Sequence, residues 1–535
     1  MRLFGLSSWA LLAPQALMGV ATVALVVGSV RRTLGHPGPA LVAGLVMALT
    51  PVAVLMFRFD NPDALLVLLL TAAAYAVVRA MGSPRALRWL VLAGALIGLG
   101  FLAKMLQAVL VVPGFAVVHL LLGPAGLARR LGHLLASGAS MVVAAGWWIA
   151  VVQLWPADSR PYIGGSTDNS VLELALGYNG LSRLSGSEAG PRSGTPGLLR
   201  LFGADLAGQV SWLLPAALVA LVAGLVCTAR APRTDRVRAG VAVWGSWLVV
   251  TGLVFSYMAG TFHSYYTVAL APAIAALVGL GGGVLWQRRT SFLARGVLGA
   301  GVLFSGAWSF RLLSGSTDVL PWLRWVVLLA GLVGGMGLAV VSWLGPAARR
   351  GVVAVALVAV LTGPAAWSAQ TIGTAHTGSM PTAGPAVCGG TGGFGGAGSG
   401  ARGGSAGGGT AAGGSAPSGG GAPSGGGWGT TSSALTQLLE DDASSYRWAA
   451  ATNGSQNAAT YQLTSEDPVM AIGGFSGSDD SPTLAQFQLH VADGAVHHYI
   501  AGGGTGGGSS AASQIAAGSR STAPRRPSEG SPSTT

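Results

Sequence analysis

Charge is what this sequence has least of. Only 9% of its 535 residues are charged, against about a quarter in a soluble domain. A chain so poor in charge cannot cover the surface that a soluble protein of this length exposes. Lysine occurs once, at Lys104, and every other fixed cation is arginine. Cysteine is nearly absent as well. Cys227 lies in an apolar run and Cys388 in a glycine-rich tract, which leaves no disulfide framework. The net charge of +12 does not point to nucleic acid, because the arginines fall in short clusters between apolar runs. What remains is hydrophobic residues, 51% of the chain. The composition is that of a polytopic membrane protein.

About twelve apolar stretches, each roughly long enough to cross a bilayer, recur over the first 370 positions: 7–30, 39–57, 64–81, 86–103, 105–122, 133–155, 207–228, 238–258, 265–286, 294–313, 322–344 and 351–370. The first is too long for a signal-peptide core, lacks a small-residue cleavage pattern and is followed by Arg31-Arg32, so it reads as a spanning helix. Arginines then mark every second connection: Arg31/Arg32, Arg79/Arg85/Arg88, Arg129/Arg130, Arg230/Arg233/Arg236/Arg238, Arg288/Arg289/Arg295 and Arg349/Arg350. Cytoplasmic loops concentrate positive charge. These six connections are therefore expected inside, with the others, and both chain ends, outside.

Residues 371–432 are rich in Gly, Ala, Ser, Thr and Pro and read as a flexible linker. Their chance G-x-G-x-x-G matches follow no strand and open no helix, so they do not read as a nucleotide site. Over 433–503, "ALTQLLEDD" and "TLAQFQLHVADG" read as helices, and "RWAAAT", "PVMAIGG" and "VHHYIAGG" as short strands, which predicts a small parallel α/β domain. Residues 504–535 read as a disordered tail. His497 and His498 are expected on opposite faces of a strand, unsuited to sharing one metal ion.

Polar residues among membrane helices carry the chemistry, since ionised groups are expensive at bilayer depth. In "FRFDNPDALLVLLL", Arg58, Asp60 and Asp63 crowd between two apolar runs on the expected outer side. Carboxylates there could orient an acceptor, hold a metal or act as general base; the alternative is a solvated helix-end loop with a weak local ion pair. Asp63 also opens the next helix, where a negative group complements the dipole. Lys104 lies where one helix ends outside and another begins. Its ammonium could bind phosphate or snorkel into the headgroups, and both readings are open. The connection 156–206 adds Asp158, Arg160, Tyr162, Asp168, Asn169, Glu173, Tyr178, Asn179 and Arg183, as many surface loops would. His263, Tyr265 and Tyr266 in "GTFHSYYTVALAPAIAAL" fit an interfacial aromatic belt.

The segments "RFDNPDALLVLLLTAAAYAVVRA", "GFLAKMLQA", "RPYIGGSTDNSVLELALGYNGLSRL", "QVSWLLPAAL", "FHSYYTVALAPA" and "PVMAIGGFSGSDDSPTLAQFQ" together resemble an actinobacterial branch of glycosyltransferase family 39, related to protein O-mannosyltransferases and aminoarabinose transferases. The resemblance covers most of residues 1–500. It implies a GT-C helical bundle in the plasma membrane, its active site and C-terminal domain extracytoplasmic. It implies transfer of a mannose-like or other hexose or pentose from a polyprenyl-phosphate carrier to a lipid, glycan or protein acceptor, with inversion at the sugar. By position, Asp63 resembles the family's second characteristic acidic residue, with Asp60 beside it as a catalytic candidate. Lys104 resembles the lysine that holds the carrier phosphate. Arg58 and Arg160 are phosphate candidates on charge and side alone. Tyr265 and Tyr266, with His263, resemble an aromatic group at the cavity mouth. A divalent cation is compatible with this chemistry but fixed by nothing in the sequence. The family's first helix and first outer loop, which hold its principal catalytic aspartate, have no counterpart before Met1. A truncated or misassigned start with little transferase activity is therefore the expectation. Two other classes stay in view: a transporter or flippase of lipid-linked sugars, which would need inward-accessible polar groups within helices, and a non-catalytic scaffold of the cell envelope.

Overall fold

The computed structural model describes residues 7–156, 159–166, 169–177, 180, 182–186, 193–315, 320–376, 380–385, 433–475, 477, 479–501 and 511–522. Cys388, Asp158, Asp168, Tyr178, Asn179 and most of the expected linker lie outside them. The chain forms two compact units. One comprises residues 1–160, 170–376 and 380–387, and the other residues 161–169, 377–379 and 388–535.

The first unit is all-helical. Before the long connection come α1 (Ser8–Leu34), α2 (Pro37–Ala48), α3 (Pro51–Met56), α4 (Asp63–Met81), α5 (Ala86–Lys104), α6 (Leu106–Val109), α7 (Val112–Leu122) and α8 (Leu127–Leu154). The connection itself carries α9 (Val171–Leu176) and α10 (Ser182–Ser185). After it come α11 (Ala204–Val210), α12 (Leu214–Thr228), α13 (Arg236–Tyr257), α14 (Ala271–Gln287), α15 (Phe292–Leu313), α16 (Leu323–Ala339) and α17 (Pro346–Gly373).

All twelve apolar stretches are helical, but not all are continuous. Among the described residues eight helices are individually long and apolar enough to cross a bilayer, and α11 with α12 makes a ninth span bent by 64°. The stretch 39–57 breaks at Thr50, whose extended backbone (φ −72, ψ 118) is what a residue before proline prefers. Pro51 then opens α3 at a position where its missing N–H costs nothing. The stretch 105–122 likewise restarts at Val112-Pro113. The central element is α14 with the 3₁₀ turn Ser264–Leu270 that leads into it; this span is almost wholly buried.

Small residues bring the helices close. Ser137 and Ser140 on α8 donate to the Leu90 and Val91 carbonyls of α5 at 2.7 and 2.9 Å. A Cβ on Gly94 would stand 2.0 Å from the Ser137 carbonyl oxygen. Such close approach is the usual basis of helix association in lipid. Gly94→Ala is therefore expected to destabilise the bundle by about 1–3 kcal/mol, lowering the thermal midpoint in detergent. An unchanged midpoint would contradict this packing.

The second unit holds a three-stranded parallel sheet in the order β2-β1-β3, with β1 (Trp448–Asn453), β2 (Val469–Ile472) and β3 (Val496–Ile500). In register, Ala450 pairs with Val469 on one side and His498 on the other. Ala449, Ala450 and Ala451 are fully buried, as a central parallel strand requires. The helices α18 (Ser433–Glu440), α19 (Ser455–Ser465), α20 (Leu484–Ala492) and α21 (Ala511–Thr522) complete it. Two expectations fail here. The stretch read as a disordered tail contains α21, because Ala512 and Ile515, one helical turn apart, bury themselves in the cluster that holds Phe487. The rings of His497 and His498 are not on opposite faces: their centroids lie 3.8 Å apart, with His497 stacked on Tyr446. Successive Cβ atoms still alternate along a strand, so it is the orientation of the rings about their side-chain bonds that brings them together.

Candidate active site at the arginine-poor end of the bundle

Chain direction sorts the charges of the helical unit. α4 runs from Asp63 to Met81 and α5 returns from Ala86 to Lys104, so this antiparallel hairpin has Asp63 and Lys104 at one end and Arg79, Arg85 and Arg88 at the other. The arginine end is continued by neighbouring connections. Arg236 lies against Gly82, Arg233 donates to the Leu121 carbonyl at 3.1 Å, and Arg130 bonds the Leu120 carbonyl. Arginines from several connections thus meet at one end.

At the opposite end lies a buried ion pair. Lys104 Nζ is 2.5 Å from Asp63 Oδ2. Asp63 is fully buried, and Lys104 keeps 18% of its side-chain exposure. Local structure sets the pair up. Asp63 is the first residue of α4, and its N–H donates to Asn61 Oδ1 at 2.9 Å. Lys104 is the last residue of α5, which ends because Met105 takes φ 41, a conformation rare for a residue with a side chain. Each charge therefore complements its own helix dipole as well as its partner. Lys104 turns inward to a carboxylate, so it does not snorkel. The other Asp63 oxygen, Oδ1, is buried without a hydrogen-bond partner among the described residues.

Aromatic rings form the next layer. The Lys104 ammonium stands 3.9 Å from the ring centroid of Tyr266 and 5.4 Å from that of Tyr265, within range of cation–π attraction. The two tyrosine rings meet edge to face at 5.0 Å, and His263 stacks on Tyr265 at 5.4 Å. Both tyrosines are buried, Tyr265 at 8% and Tyr266 at 6% exposure. They are not the exposed interfacial belt that composition suggested. Burial, reinforced by the nearby Arg183 and Lys104 cations, pushes the His263 imidazole down to about 4, leaving a neutral ring at physiological pH.

Arg183 is the member that sequence reasoning passed over. Its guanidinium donates to the Tyr266 hydroxyl at 2.5 Å. Its backbone is fixed where α10 meets the turn after α13: Gly260 N–H donates to the Arg183 carbonyl at 2.9 Å, and Ala259 N–H to the Leu184 carbonyl at 3.2 Å. A Cβ at Gly260 would stand 2.5 Å from the α-carbon of Arg183, so only glycine allows the approach.

The remaining candidates stand apart. Asp60 is exposed and accepts from Gln15 Nε2 at 3.3 Å. Arg58 is exposed in the turn after α3, with no ion pair to Asp60 or Asp63. The three charges of the opening motif do not form one cluster, because Asp63 is drawn inward as α4 begins. Arg160 donates to the Val152 carbonyl at 3.2 Å near the end of α8, with no hydrogen bond, ring contact or ion pair to Asp63 or Lys104 among the described residues. No three His, Cys, Asp or Glu side chains converge among the described residues. Asp63 already faces an ammonium, a donor set that does not suit a divalent cation.

Residues 1–149 match the family model for dolichyl-phosphate-mannose-protein mannosyltransferases, and residues 435–517 match the C-terminal region of proteins like "Putative mannosyltransferase YkcB". That Bacillus subtilis protein is 29% identical to the chain, over 93% of the chain and 79% of its own length. Another from the same organism, "Putative mannosyltransferase YycA", is 28% identical over 93% and 81%. Among solved structures, ArnT from Cupriavidus metallidurans bound to undecaprenyl phosphate aligns at 18% identity with a TM-score of 0.48, covering 93% of this chain and 77% of that one. Similarity to membrane mannosyltransferases is thus found both at the start and near the end of the chain.

Proposed function

We propose that the chain transfers a sugar from a polyprenyl-phosphate carrier to an acceptor on the extracytoplasmic face, and that Lys104 holds the carrier phosphate. The observation that carries this is the Lys104–Asp63 pair at the arginine-poor end, with Tyr265, Tyr266 and Arg183 gathered round the ammonium. A lone lysine with 18% of its side chain exposed, backed by a fully buried carboxylate, is an oriented cation of the kind a phosphate leaving group needs. The family matched over residues 1–149 is named for dolichyl-phosphate mannose, which supports a lipid-phosphate donor.

In the proposed reaction the acceptor hydroxyl attacks the anomeric carbon and a new glycosidic C–O bond forms. The bond from that carbon to the phosphate oxygen breaks, and its electron pair leaves with polyprenyl phosphate. Lys104, with Arg183 and the Tyr266 hydroxyl, meets the charge that develops on the phosphate. Asp63 holds the Lys104 ammonium in place beside the two tyrosines. Asp60, exposed nearby in sequence, is the carboxylate offered to the acceptor proton. The sugar is mannose-like or another hexose or pentose.

Outward orientation rests on the arginine-bearing connections, which mark the cytoplasmic face. The test is direct. Purified protein in vesicles carrying a polyprenyl-phosphate sugar should release polyprenyl phosphate when an acceptor is supplied, and a cysteine at Asp60→Cys should react with an impermeant maleimide from outside intact cells. Labelling only after permeabilisation would overturn the orientation, and failure to release carrier across hexose and pentose donors would overturn the reaction.

A further inference from the structure

Among the described residues Arg200 and Arg295 are buried cations outside the site described above. Arg200, 4% exposed, sits in the short 3₁₀ turn Arg200–Phe202 just before α11. Its guanidinium donates to the carbonyls of Phe255 at 3.2 Å and Met258 at 2.7 Å, and its Nε donates to the Ser193 carbonyl at 3.0 Å. The first two lie at and just beyond the C-terminus of α13, where carbonyls lack intrahelical partners and a cation is favoured. The same guanidinium lies 4.4 Å from the ring centroid of Phe262. Phe262, fully buried, packs edge to face on Tyr266 at 5.8 Å.

The backbone around Arg200 follows the same course. Gly197 N–H donates to the Ser256 carbonyl and Ser193 N–H to the Phe262 carbonyl, each at 2.8 Å. Residues 193–200 thus bond the turn 255–262 at Ser256 and Phe262, and Arg183 and Leu184 bond it at Gly260 and Ala259. That turn delivers His263, Tyr265 and Tyr266. A buried arginine bonded to three carbonyls is costly to hold unless those bonds fix something. What they fix here is the path of the chain into the aromatic wall beside Lys104.

We infer that Arg200 is a positioning residue for donor binding, acting through Phe262 to set the Tyr266 ring against the Lys104 ammonium. The inference rests on the proposed donor-phosphate site for its functional consequence, but not for its structural one. Arg200→Lys keeps the charge and loses the planar, multiply bonded guanidinium. With Tyr266 misplaced by a fraction of an ångström to an ångström, kcat/KM for sugar transfer should fall about 10- to 100-fold, chiefly through KM for the donor.

The test is a double-mutant cycle of Arg200→Lys and Phe262→Leu in the full chain. Alongside it, the 19F NMR line of a fluorotyrosine placed at 266 is recorded without donor. If Arg200 works through Phe262, the double variant transfers no more slowly than the worse single variant, and both single variants move the 19F line in the same direction. Additive losses, or a 19F line that Arg200→Lys leaves in place, would overturn the inference. If Arg200→Lys does not fold, the line in Phe262→Leu alone decides: unmoved, it overturns the inference. The donor reading fails separately, when wild type shows no binding of a polyprenyl phosphate while the 19F line still responds.

Discussion

Lys104→Ala is expected to slow sugar transfer by about 10²–10³-fold and to destabilise the bundle by about 3–5 kcal/mol. Both effects follow from one geometry. The substitution removes the ammonium that meets the leaving phosphate, and it strands a fully buried carboxylate whose other oxygen already lacks a partner. The reverse substitution should be far milder for stability. Asp63→Asn leaves a lysine that retains 18% exposure and can reach water, so the loss should stay near about 1 kcal/mol. Combining the two should recover most of the stability lost in Lys104→Ala, because no buried charge is then left unpaired. Thermal midpoints of the three variants in the same detergent check this; equal destabilisation by both single substitutions would show that the pair is not buried as described.

Asp63→Asn separates binding from transfer, and its two effects should run in opposite directions. With the carboxylate gone, the Lys104 charge is no longer neutralised, so affinity for the released polyprenyl phosphate should hold or rise. Transfer should nevertheless fall by about 10- to 100-fold, the usual effect of removing an orienting partner, since the ammonium is no longer held between the two tyrosines. Product binding and single-turnover transfer measured on the same preparation decide the matter. A variant that loses both in proportion would make Asp63 a general contributor to binding instead of the group that aims Lys104.

Much of this was legible in the sequence, for physical reasons that particular residues show. Apolar runs must be helical in lipid, where every backbone polar group needs an internal partner, and all twelve are helical. Arginine clusters at alternate connections put Asp63 and Lys104 at the same end. The breaks were harder to see. Pro51 divides a run that hydropathy treats as continuous, and Met105 ends α5 with a backbone conformation that methionine does not announce. Asp63 and Lys104 were each singled out, but their pairing spans 41 positions and depends on both helices ending at the same depth. Arg183 looked like any loop arginine, because its contact with Tyr266 spans 83 positions and depends on the missing side chain of Gly260. Arg58 and Arg160 had the right charge on the right side, which places a residue near a surface but not in a cluster. Helix α21 was hidden among glycines and serines, where three buried residues, Ala511, Ala512 and Ile515, anchor it.

The most direct measurement is equilibrium binding of a polyprenyl phosphate to the purified chain and its Lys104 and Asp63 variants. A charge-assisted hydrogen bond of about 1.5–3 kcal/mol predicts affinity about 10- to 100-fold weaker for Lys104→Ala, and undiminished for Asp63→Asn. Equal affinity of wild type and Lys104→Ala would contradict the assignment of this lysine to the carrier phosphate.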